Sequence, residues 1–206
     1  MRTETHVFTA ADLVGGDLAL DLVNTATARD SVPRDWVPDY AALLRWARTS
    51  GVFAARDLAT LDRLAAASPH KARAALVRIK AFRESLCTAL YALVRGREPA
   101  AADLDRLQTA YAAAAAAAQL RRRDGRLVRR WTVAGSQLDL VLHVAAMRAL
   151  ALLEQVELSR LRVCDGHDCG WVFVDTSKSG RRRWCDMATC GNTAKAQRFQ
   201  RRQAAA

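Results

Sequence analysis

Five cysteines occur in this 206-residue chain, and four of them form two evenly spaced pairs, Cys164 with Cys169 and Cys185 with Cys190. Four residues separate the members of each pair, and fifteen lie between the pairs. A short spacing lets one turn present two thiolates to a single ion, and the longer stretch can bring the chain back to that ion. The pattern suits one tetrahedral zinc held by four thiolates. Such a shell has no open position for water or substrate, so the expected role is structural, not catalytic. Two disulfides or an iron–sulfur cluster are the alternatives, the first disfavoured in a reducing cytosol. His167, inside the first loop, is expected to be exposed instead of a ligand. Cys87 sits among apolar residues in a helical pattern and is expected to be inert core.

The elements around the cysteines suggest how they are positioned. Trp171 to Asp175 is strand-like, rich in aromatic and β-branched residues. Residues 176–180 form a turn, and Arg181 to Trp184 is expected to return as a second strand. Cys190 leads through Gly191-Asn192-Thr193 into a helix from Ala194 to about Gln203. A knuckle, a hairpin and a second knuckle at a helix start is a treble-clef layout. On that helix Lys195, Arg198, Arg201 and Arg202 share one arc, and Phe199 and Ala196 beside it are expected to pack on Trp171, Phe173 or Trp184. With Arg181, Arg182 and Arg183, these are the candidate nucleic-acid contacts.

Charge supports an anionic partner. The formal net charge is +11. Residues 160–206 hold ten basic residues against four acids, and residues 1–159 hold twenty-two against seventeen. A dense positive field of this kind most often meets nucleic acid, although an arginine-rich solvated surface has the same composition.

The rest of the chain is mostly helical in pattern. Residues 1–15 read as a loose lead-in, and 16–25 fit either a short strand or the first turns of a helix. Asp21 and Asn24 there are candidates for lining a ligand pocket, or for capping and a buried hydrogen bond. Residues 29–38 read as loop. Asp39 is placed to cap a helix over 40–49, and a second helix covers 55–67. Ser68-Pro69 opens a long helix to about Arg95, with Leu76, Ile79, Phe82, Leu86, Leu90 and Val94 as its buried stripe. Residues 101–119, with seven consecutive alanines, form a further helix. Asp124-Gly125 signals a β-hairpin. Ser136 is expected to cap a core helix over 137–159, too interrupted by polar residues to span a membrane. The polar opening of the chain has no apolar run of the secretory type, so a cytoplasmic location is expected.

The stretch Cys164…Cys169-Gly170-Trp171-Val172-Phe173-Val174-Asp175, continuing through Arg183-Trp184-Cys185-Asp186-Met187 to Cys190-Gly191-Asn192-Thr193-Ala194-Lys195, closely resembles the CGNR zinc finger. Gly16…Leu20-Asp21-Leu22-Val23-Asn24-Thr25 resembles the opening of the ABATE domain that accompanies it. This resemblance implies a bacterial, stress-related transcription regulator with the finger as the DNA-binding part. One departure is that Thr193 stands where the family motif has arginine, which removes any contact that arginine makes. The expectation is a mostly α protein: an ABATE-like α-rich domain over 1–159 with a small β-hairpin, then a treble-clef or zinc-ribbon-like four-cysteine module over 160–206. No Gly/Ser linker separates the two, so they should be mechanically coupled. The expected cofactor is one structural zinc, and the expected partner is DNA. The N-terminal domain is a candidate sensory or dimerising unit, with a homodimer and a small-molecule effector as further candidates and no membrane partner. No nucleophile–base or carboxylate pair suggests an enzyme. A zinc-dependent adaptor for acidic proteins is the alternative function.

Overall fold

Two aspartates start the first two helices. The Asp17 carboxylate accepts the Ala19 N–H at 2.9 Å and opens α1 (Leu18–Val23), all six residues of which are buried. Asp39 accepts from Ala42 N at 2.7 Å and opens α2 (Tyr40–Thr49). These caps satisfy backbone donors that a helix start leaves without partners. The helical alternative is therefore the one adopted at residues 18–23. The computed structural model describes residues 1–204, so the last two residues of the expected 160–206 module lie outside the described residues.

The lead-in is more ordered than the sequence suggests. β1 (Arg2–Thr3) pairs in parallel with β3 (Arg34–Asp35), and β2 (Ala26–Thr27) pairs with β3 antiparallel. Residues this far apart in sequence find one another only in the folded chain. α3 (Ala55–Ala67) follows, then α4 (Pro69–Val94), which has proline in its first turn, where a missing N–H costs little. α5 (Ala101–Ala117) contains the alanine run, and Ala110 and Ala114 are its buried contacts. β4 (Gln119–Arg123) and β5 (Arg126–Arg130) form the expected hairpin. Asp124 and Gly125 turn it with φ of 51° and 74°, the left-handed pair that a tight hairpin requires.

The core helix differs in its start. α6 (Val133–Ser136) and a 3-10 turn (Gln137–Asp139) precede α7 (Leu140–Gln155). Ser136 caps nothing, and its hydroxyl instead lies 3.0 Å from His143 Nδ1 in the interior. α7 packs on α1, α4 and α5, and its apolar length is core, with eight residues from Leu140 to Ala149 buried. Leu76, Ile79, Phe82, Leu86 and Leu90 of α4 fill the same core. β6 (Leu161–Val163) and β7 (Val172–Val174) then form an antiparallel pair, and α8 (Asn192–Ala204) ends the described chain.

A buried ion pair ties the small sheet to α4. The Arg83 guanidinium makes a fork to Asp35, Nη1 to Oδ1 at 2.9 Å and Nη2 to Oδ2 at 3.0 Å. Lys80 Nζ adds a third contact at 2.8 Å, and Arg83 Nη1 also donates to Thr25 Oγ1 at 3.0 Å. Burial alone would raise the Asp35 pKa. The Arg83 fork, Lys80 and the Val37 N–H outweigh that and hold it down at about 2. A depressed carboxylate contributes stability that is present above its ordinary pKa near 3.8 and is lost as pH falls through about 2.

Asp35→Asn should lower the unfolding free energy by about 3 kcal/mol at neutral pH, because it strands a buried guanidinium. It should also flatten the acid limb of stability between about pH 4 and 2. Urea unfolding of both proteins across that range checks both statements.

Candidate metal centre and basic helix

The first cysteine pair sits in the turn between β6 and β7. Arg162 faces Phe173 and Val163 faces Val172 across the ladder, and the Cys164 N–H donates to Trp171 O at 2.8 Å, extending the pair to the knuckle. Asp168 and Gly170 take φ of 56° and 71° to complete that turn. The hairpin therefore encloses the first pair, whereas the sequence pointed to one lying between the pairs. Arg181 to Trp184 is not a strand. The Asp175 carboxylate accepts from Ser177 N at 2.9 Å and from Arg182 N at 2.8 Å, which closes residues 175–182 into a loop. Arg160 and Arg162 donate to Ser177 O and Gly180 O and brace it from the β6 side.

The second pair opens a helix. Asp186 accepts from Thr189 N at 3.0 Å and caps a π-helical turn (Met187–Gly191) that holds Cys190 and runs into α8. All four sulfurs lie within 4.8 Å of one another. Cys169 Sγ to Cys185 Sγ is 3.8 Å, and Cys185 Sγ to Cys190 Sγ is 3.7 Å. Four sulfurs about 2.3 Å from one zinc stand about 3.8 Å apart in a tetrahedron. A disulfide needs about 2.05 Å, and all five cysteines are free. The sulfurs also lie too close to enclose a multi-iron cluster. His167 is exposed and paired with Asp168, outside the sulfur cluster.

The donor chemistry agrees with a dication. The neighbouring Cys169 and Cys185 thiols, with the N–H groups of Cys185 (3.2 Å) and Gly166 (3.3 Å) that donate to Cys164 Sγ, hold the Cys164 pKa far below the usual thiol value. Hydrogen bonding to that thiolate pushes Cys169 and Cys185 up, and burial does the same to Cys190. A zinc ion would favour the thiolate form of all four sulfurs. Cys164, Cys169, Cys185 and Cys190 can hold one zinc with no open position, and that ion would supply cohesion and no reaction. Gly166 is needed for the close approach, since a Cβ there would stand 2.7 Å from Cys190 Sγ. Cys87 is buried core with its thiol pKa raised to about 11 by desolvation.

Asp21 and Asn24 are buried and hold backbone. The Asn24 side chain mimics a strand: Nδ2 donates to Val172 O and Oδ1 accepts from Val172 N, both at 2.9 Å. Asp21 Oδ1 accepts from Gly15 N at 2.8 Å, and Gly15 O in turn accepts from Val174 N at 2.9 Å. Burial raises the Asp21 pKa to about 6 against the opposing Gly15 hydrogen bond. These are the buried hydrogen bonds that the sequence offered as one role for the pair. Tyr91 OH donates to Gly170 O, and Trp36 packs edge-on against Trp171 at 5.6 Å. None of these partners was visible in the sequence, where Trp36 and Tyr91 lie far from the cysteines and carry no local motif. An apolar hollow of about 470 Å³ lies elsewhere, between α4, α5 and α7, with Phe82, Leu104, Tyr111 and Leu150 in its wall.

The expected basic residues separate into two groups. Lys195, Arg198, Arg201 and Arg202 are all exposed on α8. Phe199 is 62% exposed and does not pack on the hairpin, and Ala196 is exposed too. The aromatic faces expected to receive them are already covered, Trp171 by Trp36 and Phe173 by the Arg182 guanidinium at 4.6 Å. Arg182 also donates from Nε to Trp184 O, which holds its half-buried guanidinium against the module. Arg183 pairs with Asp165 at 2.8 Å at the surface, and Arg181 is exposed.

The purified protein should carry about one zinc per chain, and Cys185→Ser should lose it. Gly166→Ala keeps every ligand yet should release zinc to a competing chelator faster than wild type, as followed by absorbance. Asn24→Ala leaves a buried N–H and C=O without partners and should cost about 2 kcal/mol in thermal or urea unfolding of the zinc-loaded protein.

Comparison with known families agrees with this geometry. Residues 160–203 match the CGNR zinc finger, and residues 16–156 match ABATE, described as "Putative stress-induced transcription regulator". No curated protein matches the chain. Both families are regulator or zinc-finger types, and the larger match spans more than half of the residues. The chain belongs to the ABATE family and ends in a CGNR zinc finger.

Proposed function

We propose that this protein is a cytoplasmic DNA-binding transcription regulator whose zinc module presents α8 to duplex DNA. The observation that carries this reading is the projection of α8 from the four-cysteine cluster. Lys195, Arg198, Arg201 and Arg202 are exposed there, and no ion pair among the described residues involves them. A helix held at one end by a metal knuckle and cationic along an open arc can lie against phosphates or enter a major groove. Exposed Phe199 beside the arc adds an apolar surface for sugar or base contact. Arg181 and Arg183 extend the basic surface, and Arg182 contributes structure only. Thr193 supplies no guanidinium, so phosphate contact outweighs base readout in this reading.

On this proposal residues 1–159 form the input unit and 160–206 the output unit, joined through Asn24, Gly15 and Tyr91. The sensory or dimerising role of the input unit belongs to the same reading, and the apolar hollow between α4, α5 and α7 is where an apolar effector would enter.

Each phosphate contact releases counterions, so Lys195→Ala/Arg198→Ala/Arg202→Ala should lower the logarithmic salt slope of duplex binding by about three. Arg182→Ala should instead lower stability with the slope unchanged in the folded fraction. Titrations of a mixed-sequence duplex at several salt concentrations check both. Equal affinity and slope for wild type and the triple variant would remove α8 from the DNA interface and favour an adaptor for acidic proteins.

A further inference from the structure

The chain's excess positive charge is concentrated in two places, and the zinc module is only one of them. Residues 119–130, the β4–β5 hairpin, hold six arginines against one aspartate, a net +5. Residues 1–159 as a whole are also net +5, with twenty-two basic residues against seventeen acids. The helical unit without its hairpin is therefore neutral, and its entire imbalance sits on one two-stranded ribbon.

The ribbon is built to present that charge. The register pairs Arg123 with Arg126 and Arg121 with Val128 on one face, and Arg122 with Leu127 and Leu120 with Arg129 on the other. All six arginines are exposed. Their ionic partner among the described residues is Asp124 alone, which meets Arg123 at 3.5 Å with both side chains at least 80% exposed. Such a pair neutralises little. Like-charged residues directly opposite each other cost a hairpin stability, as at Arg123 and Arg126. An anionic ligand would relieve that repulsion.

We infer that the β4–β5 hairpin is a second duplex-DNA contact, separate from the zinc module, in which arginines from both faces of the ribbon meet phosphates. The inference rests on the DNA-binding reading above. Five residues per strand give a ribbon about 17 Å long, and the major groove, about 12 Å wide, admits a two-stranded ribbon. Guanidiniums on both faces suit a groove with phosphates along two walls. A flat anionic surface such as a membrane would be met by one face, and the two exposed leucines, Leu120 and Leu127, offer it little apolar area. The hairpin precedes the N-terminal end of α7, and the zinc module follows its C-terminal end. The sixteen residues of α7, a helix about 24 Å long, separate the two in the chain.

The test uses the full-length zinc-loaded protein and a mixed-sequence duplex of about three helical turns, titrated between about 50 and 200 mM salt. Replacing Arg121, Arg122, Arg126 and Arg129, two from each face, by Gln should lower the salt slope by about three to four and weaken binding at least tenfold at the low-salt end. The corresponding four Arg→Lys changes should retain binding. Far-UV circular dichroism and zinc content establish that each variant is folded. If the fourfold Gln variant is not, Arg123→Gln/Arg126→Gln at the exposed tip should still lower the slope by about two. Wild-type affinity and slope in the folded Gln variant, with binding still lost in the α8 triple variant, would overturn the hairpin contact and leave the proposed function standing. Loss in the hairpin variant with an unaffected α8 variant would support the hairpin and overturn the zinc module's role. No duplex binding by wild type at any salt would overturn both. Hairpin-dependent sedimentation with phosphatidylglycerol vesicles, without a change in DNA binding, would assign the ribbon to a membrane surface and overturn the inference.

Discussion

Four sulfur atoms lie within 4.8 Å of one another at the C-terminal end of this protein, and they cannot all be thiolates unless a cation sits among them. That constraint organises the module. Apart from its metal site, the module's buried cluster is little more than Trp171 and Phe173, and it borrows Val14 and Trp36 from the helical unit. So small a core offsets little of the conformational entropy of ordering the chain, and a zinc ion on the four sulfurs would add folding free energy. A zinc ion on these sulfurs would also anchor the approach to α8, because Cys190 lies in the π-helical turn that runs into that helix.

The module is not an appendage on a tether. Leu161 and Val172 belong to the main core, the Asn24 side chain pairs with both polar groups of Val172, and Gly15 receives the Val174 N–H. Asn24 and Asp21 both come from the buried α1, which packs on α4 and α7. Tyr91 near the end of α4 reaches Gly170 in the first knuckle. A rearrangement of these helices would therefore be felt at the first cysteine pair through rigid backbone contacts. Coupling of this kind requires no flexible linker, and none is present between α7 and β6.

Charge follows a different logic from packing. Inside, Arg83 and Asp35 neutralise each other. Outside, α8 and the β4–β5 hairpin keep their charges open to solvent. Interior charges must be paired because desolvation is costly, whereas exposed unpaired charges cost little and attract counterions or a polyanion.

What the sequence determined is mostly local. Cysteine spacing alone picked out the four sulfurs that the fold brings within 4.8 Å of one another, because a knuckle is a contact over a few residues. Asp39, Pro69 and Asp124-Gly125 located two helix starts and a hairpin through caps and turns that likewise act within a few residues. Family resemblance in the motif extended this to the order of the two parts. Tertiary structure decided which distant groups meet. Asn24 finds Val172 across 148 positions, and β7 pairs back to β6 because the Asp175 carboxylate turns Arg181–Trp184 into a loop before it can become a strand. It also decided that Phe199 faces solvent and Arg182 faces inward, since Trp36, from a segment that reads as loop, already covers Trp171. Such pairings depend on which surfaces are left open once the core has formed, and no short window of residues contains that information.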